Sequence, residues 1–204
     1  MLQIFGRGRP QVDDALPRAM FEARKRVFVD LLGWDVPVLG GRYERDQFDT
    51  PDASYLMLAG DDGRHRASAR LLPTTRAHIL DTLFAELCDD PLPRGETVYE
   101  ITRFCLDRSL NARCRRAARD ELIGALATFA LDQGITLYTG VAEPGWLDQI
   151  LAFGWRCRLL GAPRLVAGTR LGAVAIEIDA ETPRLLERCG IRCPQPTGEV
   201  RDAA

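Results

Sequence analysis

Two histidines, His65 and His78, are the whole imidazole complement of the 204 residues, and no two of the six cysteines form a Cys-x-x-Cys pair. A zinc site needs closely spaced Cys or His ligands, so no metal is expected. The cysteines (Cys88, Cys105, Cys114, Cys157, Cys189 and Cys193) are irregularly spaced and read as reduced, mostly buried thiols. Excess charge is also missing. A net charge of −2 gives no bulk attraction for nucleic acid or an anionic membrane. No apolar run approaches the ~18 residues of a membrane span. Met1 to Pro10 has arginines but not the apolar stretch of a signal peptide, so the chain is expected in the cytoplasm. Repeats and low-complexity linkers are absent, and only the segment after Pro194 reads as loose.

What is present is a 46% apolar fraction, enough for a sizeable core, and a length that fits one domain over 1–204. Asp13 or Asp14 can cap a helix from about Ala15. Leu16, Met20, Val27 and Leu31 continue it at helical spacing, and Gly33 ends it. Arg24 and Phe28 then share a face. From Trp34 to Ser54 there is no period, which marks a long loop. Tyr55–Ala59 and Arg66–Leu72 read as strands joined by a turn at Asp61-Asp62-Gly63. Ile79, Leu80, Leu83, Phe84 and Leu87 predict a short helix, Ala112–Gln133 a long one, Trp146–Phe153 a third, and Glu181–Cys189 a last. Ile135–Val141 and Ala173–Ile178 read as strands. Strand pairs first and alternating helices and strands later predict an α/β sandwich around a mixed sheet.

The stretch Tyr99-Glu100-Ile101-Thr102-Arg103-Phe104 is a strand that carries charge. Strict alternation would put Glu100 and Thr102 on one face, Ile101 and Arg103 on the other. Charges inside a packed sheet are costly unless paired or used, so this pair is either a structural ion-pair network or part of a site.

Three further features bear on that choice. Glu44, Asp46, Asp49 and Asp52 are interleaved with Trp34, Phe48 and Tyr55. This is a solvated acidic loop, or a loop that folds over an organic cation with acids for its charge and rings for its body. A calcium loop fits poorly, because the liganding positions and the closing Glu are missing. Arg24, Arg70 and Arg103 lie on three predicted elements, with Glu100, Asp46 and Asp49 as possible bidentate partners. Arg113, Arg115, Arg116 and Arg119 crowd a helix start, where the dipole disfavours cations. They form a solvated basic face, or they meet an anionic partner such as a phosphate or an acidic protein surface.

Taken together, Arg24-x-x-x-Phe28-x-x-x-x-x-Trp34, Glu44-Arg45-Asp46-Gln47-Phe48-Asp49, Ser68-Ala69-Arg70-Leu71-Leu72-Pro73-Thr74-Thr75 and Glu100-Ile101-Thr102-Arg103-Phe104 resemble the acyl-homoserine-lactone synthase (autoinducer synthase) family, by order and spacing from about Arg24 to Gly161. The resemblance implies a three-layer α/β sandwich with a central mixed, mainly antiparallel sheet, similar to the N-acetyltransferase superfamily. It implies synthesis of an N-acyl-homoserine lactone quorum-sensing signal from S-adenosylmethionine and an acyl thioester on acyl-carrier protein or coenzyme A. Methylthioadenosine is released, and no separate cofactor is used. Glu100 and Arg103 would be the catalytic pair. Arg24, Phe28, Trp34, Asp46, Asp49 and Arg70 would lie on the S-adenosylmethionine side, with 34–54 as the substrate loop. Phe84, Thr139 and Gly140 would line the acyl pocket, and Arg113, Arg115, Arg116 and Arg119 would contact the carrier protein or its phosphopantetheine. The superfamily's acetyl-coenzyme A loop has a central glycine, and here Arg113–Ala118 reads Arg-x-x-Arg-x-Ala. That departure counts against the alternative of an ordinary N-acetyltransferase. A non-catalytic binder of an acyl donor or nucleoside is the third reading.

Overall fold

A computed structural model describes residues 1–8 and 15–194. The cap expected at Asp13 or Asp14 and the loose tail expected after Pro194 lie outside the described residues. The chain's contacts divide it into two compact units, Met1–Leu72 with Thr102–Leu122, and Pro73–Ile101 with the chain from Ile123 on.

In the first unit β1 (Leu2–Gly6) lies antiparallel to β4 (Ser54–Ala59), which pairs in turn with β5 (His65–Pro73). The β4–β5 hairpin is the one its apolar runs predict, and every residue of β4 is buried. β1 was not expected, because its only alternation is weak. It is held by the terminal amine of Met1 donating to Ala59 O and by Ala59 N donating to Met1 O. α1 (Ala15–Arg24) runs on into a π-helical stretch, Lys25–Leu31, where Leu32 N donates to Val27 O. Gly33, at φ +69, ends it as the sequence predicts. The stretch expected to lack regular structure holds a two-residue ladder, β2 (Val38–Leu39) against β3 (Tyr43–Glu44).

β6 (Val98–Leu106) contributes its first residues to the second unit and its last to the first. In the second unit it runs parallel to β7 (Leu137–Ala142), with Glu100 opposite Thr139. β7 is antiparallel to β10 (Thr169–Glu177), and the far edge of β10 takes the short strands β8 (Arg156–Leu159) and β9 (Arg164–Val166), which are too short for the sequence pattern to predict. The main sheet thus has the order β1-β4-β5-β6-β7-β10-β8, with β9 beside β10. It is mixed and mainly antiparallel, as expected. The helix predicted through Leu87 breaks at Phe84, whose φ of −138° is not helical: α2 (Ile79–Leu83) ends there and a 3-10 turn covers Ala85–Leu87. α3 (Ala112–Gln133) has its predicted bounds, and α4 (Pro144–Ala152) and α5 (Thr182–Arg188) complete the elements. Among the described residues no helix is long and apolar enough to cross a membrane.

Candidate active site

Six charged residues of the first unit form one closed circuit. Arg24, the last residue of α1, donates from Nε to Glu44 and from Nη1 and Nη2 to both oxygens of Asp49 at 2.8 and 2.9 Å. Arg70 on β5 meets Asp49 Oδ1 at 2.9 Å and clasps Asp46 at 2.6 and 3.0 Å. Arg103 on β6 holds Asp46 Oδ2 at 2.6 Å and returns to Glu44 at 3.0 Å. Three cations and three anions therefore alternate around a ring, each touching two of opposite sign. All six are nearly removed from solvent, and Glu44 is 0% exposed.

Side-chain and backbone donors complete the ring. Tyr55 OH donates to Asp49 Oδ1 at 2.8 Å, Asp46 N to Asp49 Oδ2, and Phe48 N to Asp46 Oδ1. Arg70 Nε donates to Thr102 Oγ1 at 2.9 Å. Burial pulls the Arg24 guanidinium down, but its bonds to Asp49 and Glu44 outweigh that and hold it above its ordinary value. Burial likewise pushes Asp49 up, and the Arg24 guanidinium overrides it, so the carboxyl is held well below the usual range. The Tyr55 phenol is raised by burial and by the Asp49 charge.

Asp46 and Asp49 take Arg70 and Arg24 as bidentate partners, one of the arrangements the sequence allows, and so hold the loop down on the sheet. One expectation changes here. Arg103 does not leave the sheet on the face opposite Thr102. Its φ of +49° interrupts the alternation, so that Thr102 and Arg103 both reach the network of Arg70 and Asp46. Phe28 and Trp34 stack at 4.7 Å between centroids, and the Arg103 guanidinium lies 5.5 and 5.6 Å from the two rings. Phe28 is buried in a small cluster with Ala23 and Cys105, while Trp34 remains 37% exposed.

In the second unit Glu100 is 0% exposed. Its Oε2 accepts from Ile79 N at 2.7 Å and its Oε1 from Leu80 N at 3.0 Å, the first two residues of α2. Thr139, its parallel neighbour, lies on the face of β7 that carries Leu137 and Val141. Those two pack against the apolar cluster of Leu80, Leu87, Leu160, Ala173 and Ala175, which Phe84 also joins. Phe84 thus packs on this cluster and Thr139 lies on the strand face turned toward it, and Thr139 Oγ1 is buried with no hydrogen-bond partner. Gly140 does not join them. The pleat turns it to the opposite face with its partner Val174 and with Tyr138, whose OH donates to Leu126 O of α3, and an added Cβ would meet Ile101 O at 3.3 Å.

At the start of α3, Asn111 Oδ1 caps Cys114 N, Arg115 donates to Leu110 O, and Arg119 pairs with its neighbour Asp120. Arg113 and Arg116 are exposed. No group of three or more His, Cys, Asp or Glu among the described residues is placed to hold a metal ion.

The sequence-based site set omits four residues. Glu44 is one acid among several in its loop, and only the structure singles it out as the link between Arg24 and Arg103. Tyr55 and Thr102 act through single hydroxyls on strands, which leave no spacing signal. His78 is fully buried beside α2, with Nδ1 at 3.0 Å from Arg76 O and Nε2 without a partner.

The family profile described as "Autoinducer synthase" matches residues 11–186. An acyl-homoserine-lactone synthase of Ralstonia nicotianae is 33% identical over 89% of this chain and 91% of its own. Among solved structures, a CoA-dependent acyl-homoserine lactone synthase, BjaI, with SAM and isopentyl-CoA aligns at a TM-score of 0.84 and 26% identity, covering 96% of this chain and 91% of that one. TofI, in a ternary complex with an inhibitor and MTA, aligns at 0.77 and 28%, covering 91% and 96%. A putative N-acetyltransferase from Lactobacillus plantarum, at 0.60 and 18% over 87% and 99%, shares the fold. Matched over most of its length by the family profile and by acyl-homoserine-lactone synthases, the chain belongs to the autoinducer synthase family as an enzyme of that class.

Proposed function

We propose that the enzyme joins the methionine amine of S-adenosylmethionine to an acyl thioester and closes the lactone with release of methylthioadenosine. The observation that carries this reading is strand β6. Within four residues it bears a buried carboxylate, Glu100, turned toward an apolar cluster, and a guanidinium, Arg103, tied to the Phe28–Trp34 ring pair. The relatives solved with SAM and isopentyl-CoA and with MTA support it.

The chemistry follows from these groups. The amine must lose a proton, which passes to Glu100 directly or through one water. Its lone pair attacks the thioester carbonyl; the nitrogen then gives up a second proton, the tetrahedral intermediate collapses with cleavage of the carbon–sulfur bond, and the thiolate leaves with one of the two protons while the other passes to solvent. The methionine carboxylate then attacks the carbon next to the sulfonium; that carbon–sulfur bond breaks and methylthioadenosine leaves. With Asp46 and Asp49 engaged by arginines, the sulfonium falls to the faces of Trp34 and Phe28. Arg24, Arg70, Asp46 and Asp49 keep the loop of 34–54 in place, and Arg103 orients the ring pair. Phe84 and Thr139 receive the acyl chain. Arg113, Arg115, Arg116 and Arg119 meet the phosphates of the donor or an acidic carrier protein.

Purified protein given S-adenosylmethionine and a panel of acyl thioesters, on carrier protein and on coenzyme A, is expected to release methylthioadenosine and lactone only when both substrates are present. Acetyl transfer to an amine without S-adenosylmethionine would overturn the reading.

A further inference from the structure

Glu100 does more in this structure than face the acyl cluster. Both of its carboxylate oxygens are bonded to backbone N–H groups, those of Ile79 and Leu80. These are two of the orphan donors that every helix leaves at its N-terminus. Beside them, His78 N donates to Asp81 Oδ1, and Asp81 Oδ2 is held by Arg94 at 2.8 Å. α2 is therefore fixed to the sheet through Glu100 and to the following loop through Asp81. It is only five residues long, too short to hold its own shape without such anchors.

The same helix supplies part of the apolar cluster assigned above to the acyl chain. Leu80, whose N–H bonds Glu100, is fully buried at the centre of the cluster, and Phe84, which ends α2, packs against it. The carboxylate and the cluster are thus joined by one residue, and neither can shift without moving the other.

We propose that Glu100 is a positioning residue for the acyl donor as well as the group that receives the amine's proton: its bidentate grip on α2 sets the place of Leu80 and Phe84, and so helps choose the acyl chain. This rests on the synthase reading. A chain that fits poorly against Leu80 and Phe84 strains the helix and moves the carboxylate, so chain-length mismatch is felt in kcat and not in KM alone.

The test compares Glu100→Asp with the unaltered enzyme. The shorter side chain keeps its charge and its capacity to take a proton, but it cannot reach both N–H groups. Donors from butanoyl to dodecanoyl thioester are assayed by methylthioadenosine release, and amide exchange is followed over residues 78–84. The expected result is exchange at Ile79 or Leu80 faster by about tenfold, together with a changed rank order of donors. A loss of kcat with unchanged donor order and unchanged exchange overturns the proposal and leaves Glu100 as a base alone. Leu80→Ala serves as the second variant, since it keeps the N–H. Lower kcat for long donors is expected, and a change confined to KM overturns the coupling. If the unaltered enzyme releases no methylthioadenosine with any donor, the synthase reading and the donor-selection claim fall together. Exchange in Glu100→Asp still decides separately whether the carboxylate anchors α2.

Discussion

Glu44 and Arg103 are 59 residues apart in sequence and 3.0 Å apart in the structure, and their contact closes the ring of six alternating charges. A buried ion pair adds little net stability against an apolar alternative, but removing one partner strands the other. Glu44→Ala would leave Arg24 and Arg103 each without one anion in a site closed to water. The expected loss is about 3–5 kcal/mol. Urea unfolding of the variant measures it, and a loss under about 1 kcal/mol would mean that water enters and screens the ring.

Acid should destabilise the protein above the usual carboxylate range, because of His65. It is buried, its Nε2 lies 2.9 Å from Ser68 Oγ, and its Nδ1 has no partner. Burial brings its pKa down to about 4, against an ordinary 6.5. The folded state thus resists a proton that the unfolded chain accepts below its own pKa. His65's contribution is complete above about pH 6.5 and declines as pH falls from there toward 4, by an amount on the order of 3 kcal/mol. Denaturant titrations at pH 7 and 5 should show the drop, and His65→Gln should remove most of the difference between them.

The β9–β10 hairpin turns through Ala167 and Gly168, both at positive φ, +47° and +84°. Gly168 adopts this without cost, whereas a Cβ in the left-handed region costs about 1 kcal/mol. Ala167→Gly is therefore expected to stabilise by a few tenths of a kcal/mol to about 1, since relief of strain exceeds the added chain entropy. A lower melting temperature in the variant would show that Ala167 is unstrained.

Where side-chain period dictated structure, the sequence could be read closely: α3 spans its predicted bounds, and the β4–β5 hairpin lies where its two apolar runs put it. β8 and β9 could not be read, because they are short edge strands with mostly exposed side chains and owe their existence to backbone bonds with β10. The site follows the same division. Arg24, Asp46, Asp49, Arg70 and Arg103 could be read as charges that need partners. Which partner each takes depended on the positive φ at Arg103. The bonds of Glu100 to Ile79 and Leu80 escaped the sequence for another reason: they run to backbone N–H groups, which every residue but proline possesses.

Trp34→Ala should weaken S-adenosylmethionine while leaving the fold in place, since Trp34 is partly exposed and outside the ring of charges. Losing one face of a cation–π site predicts a KM for S-adenosylmethionine higher by about three- to tenfold. Methylthioadenosine release against substrate concentration measures this. An unchanged KM would remove the ring pair from the sulfonium site.

Thr139 separates stability from selectivity. Its hydroxyl is buried beside an apolar cluster and has no partner, a loss of about 1–3 kcal/mol for a group that water would otherwise satisfy. Thr139→Val keeps the shape and removes the unsatisfied group, so the free enzyme should gain about 1 kcal/mol. If the hydroxyl donates to a 3-oxo group of the acyl chain, the same change should lower kcat/KM for a 3-oxoacyl donor about tenfold relative to the plain acyl donor of equal length. A more stable variant with an unaltered donor ratio would mean that the acyl chain does not reach β7 at Thr139. A less stable one would mean that an ordered water already occupies the hydroxyl, which would then have to be displaced before any 3-oxo donor could bind there.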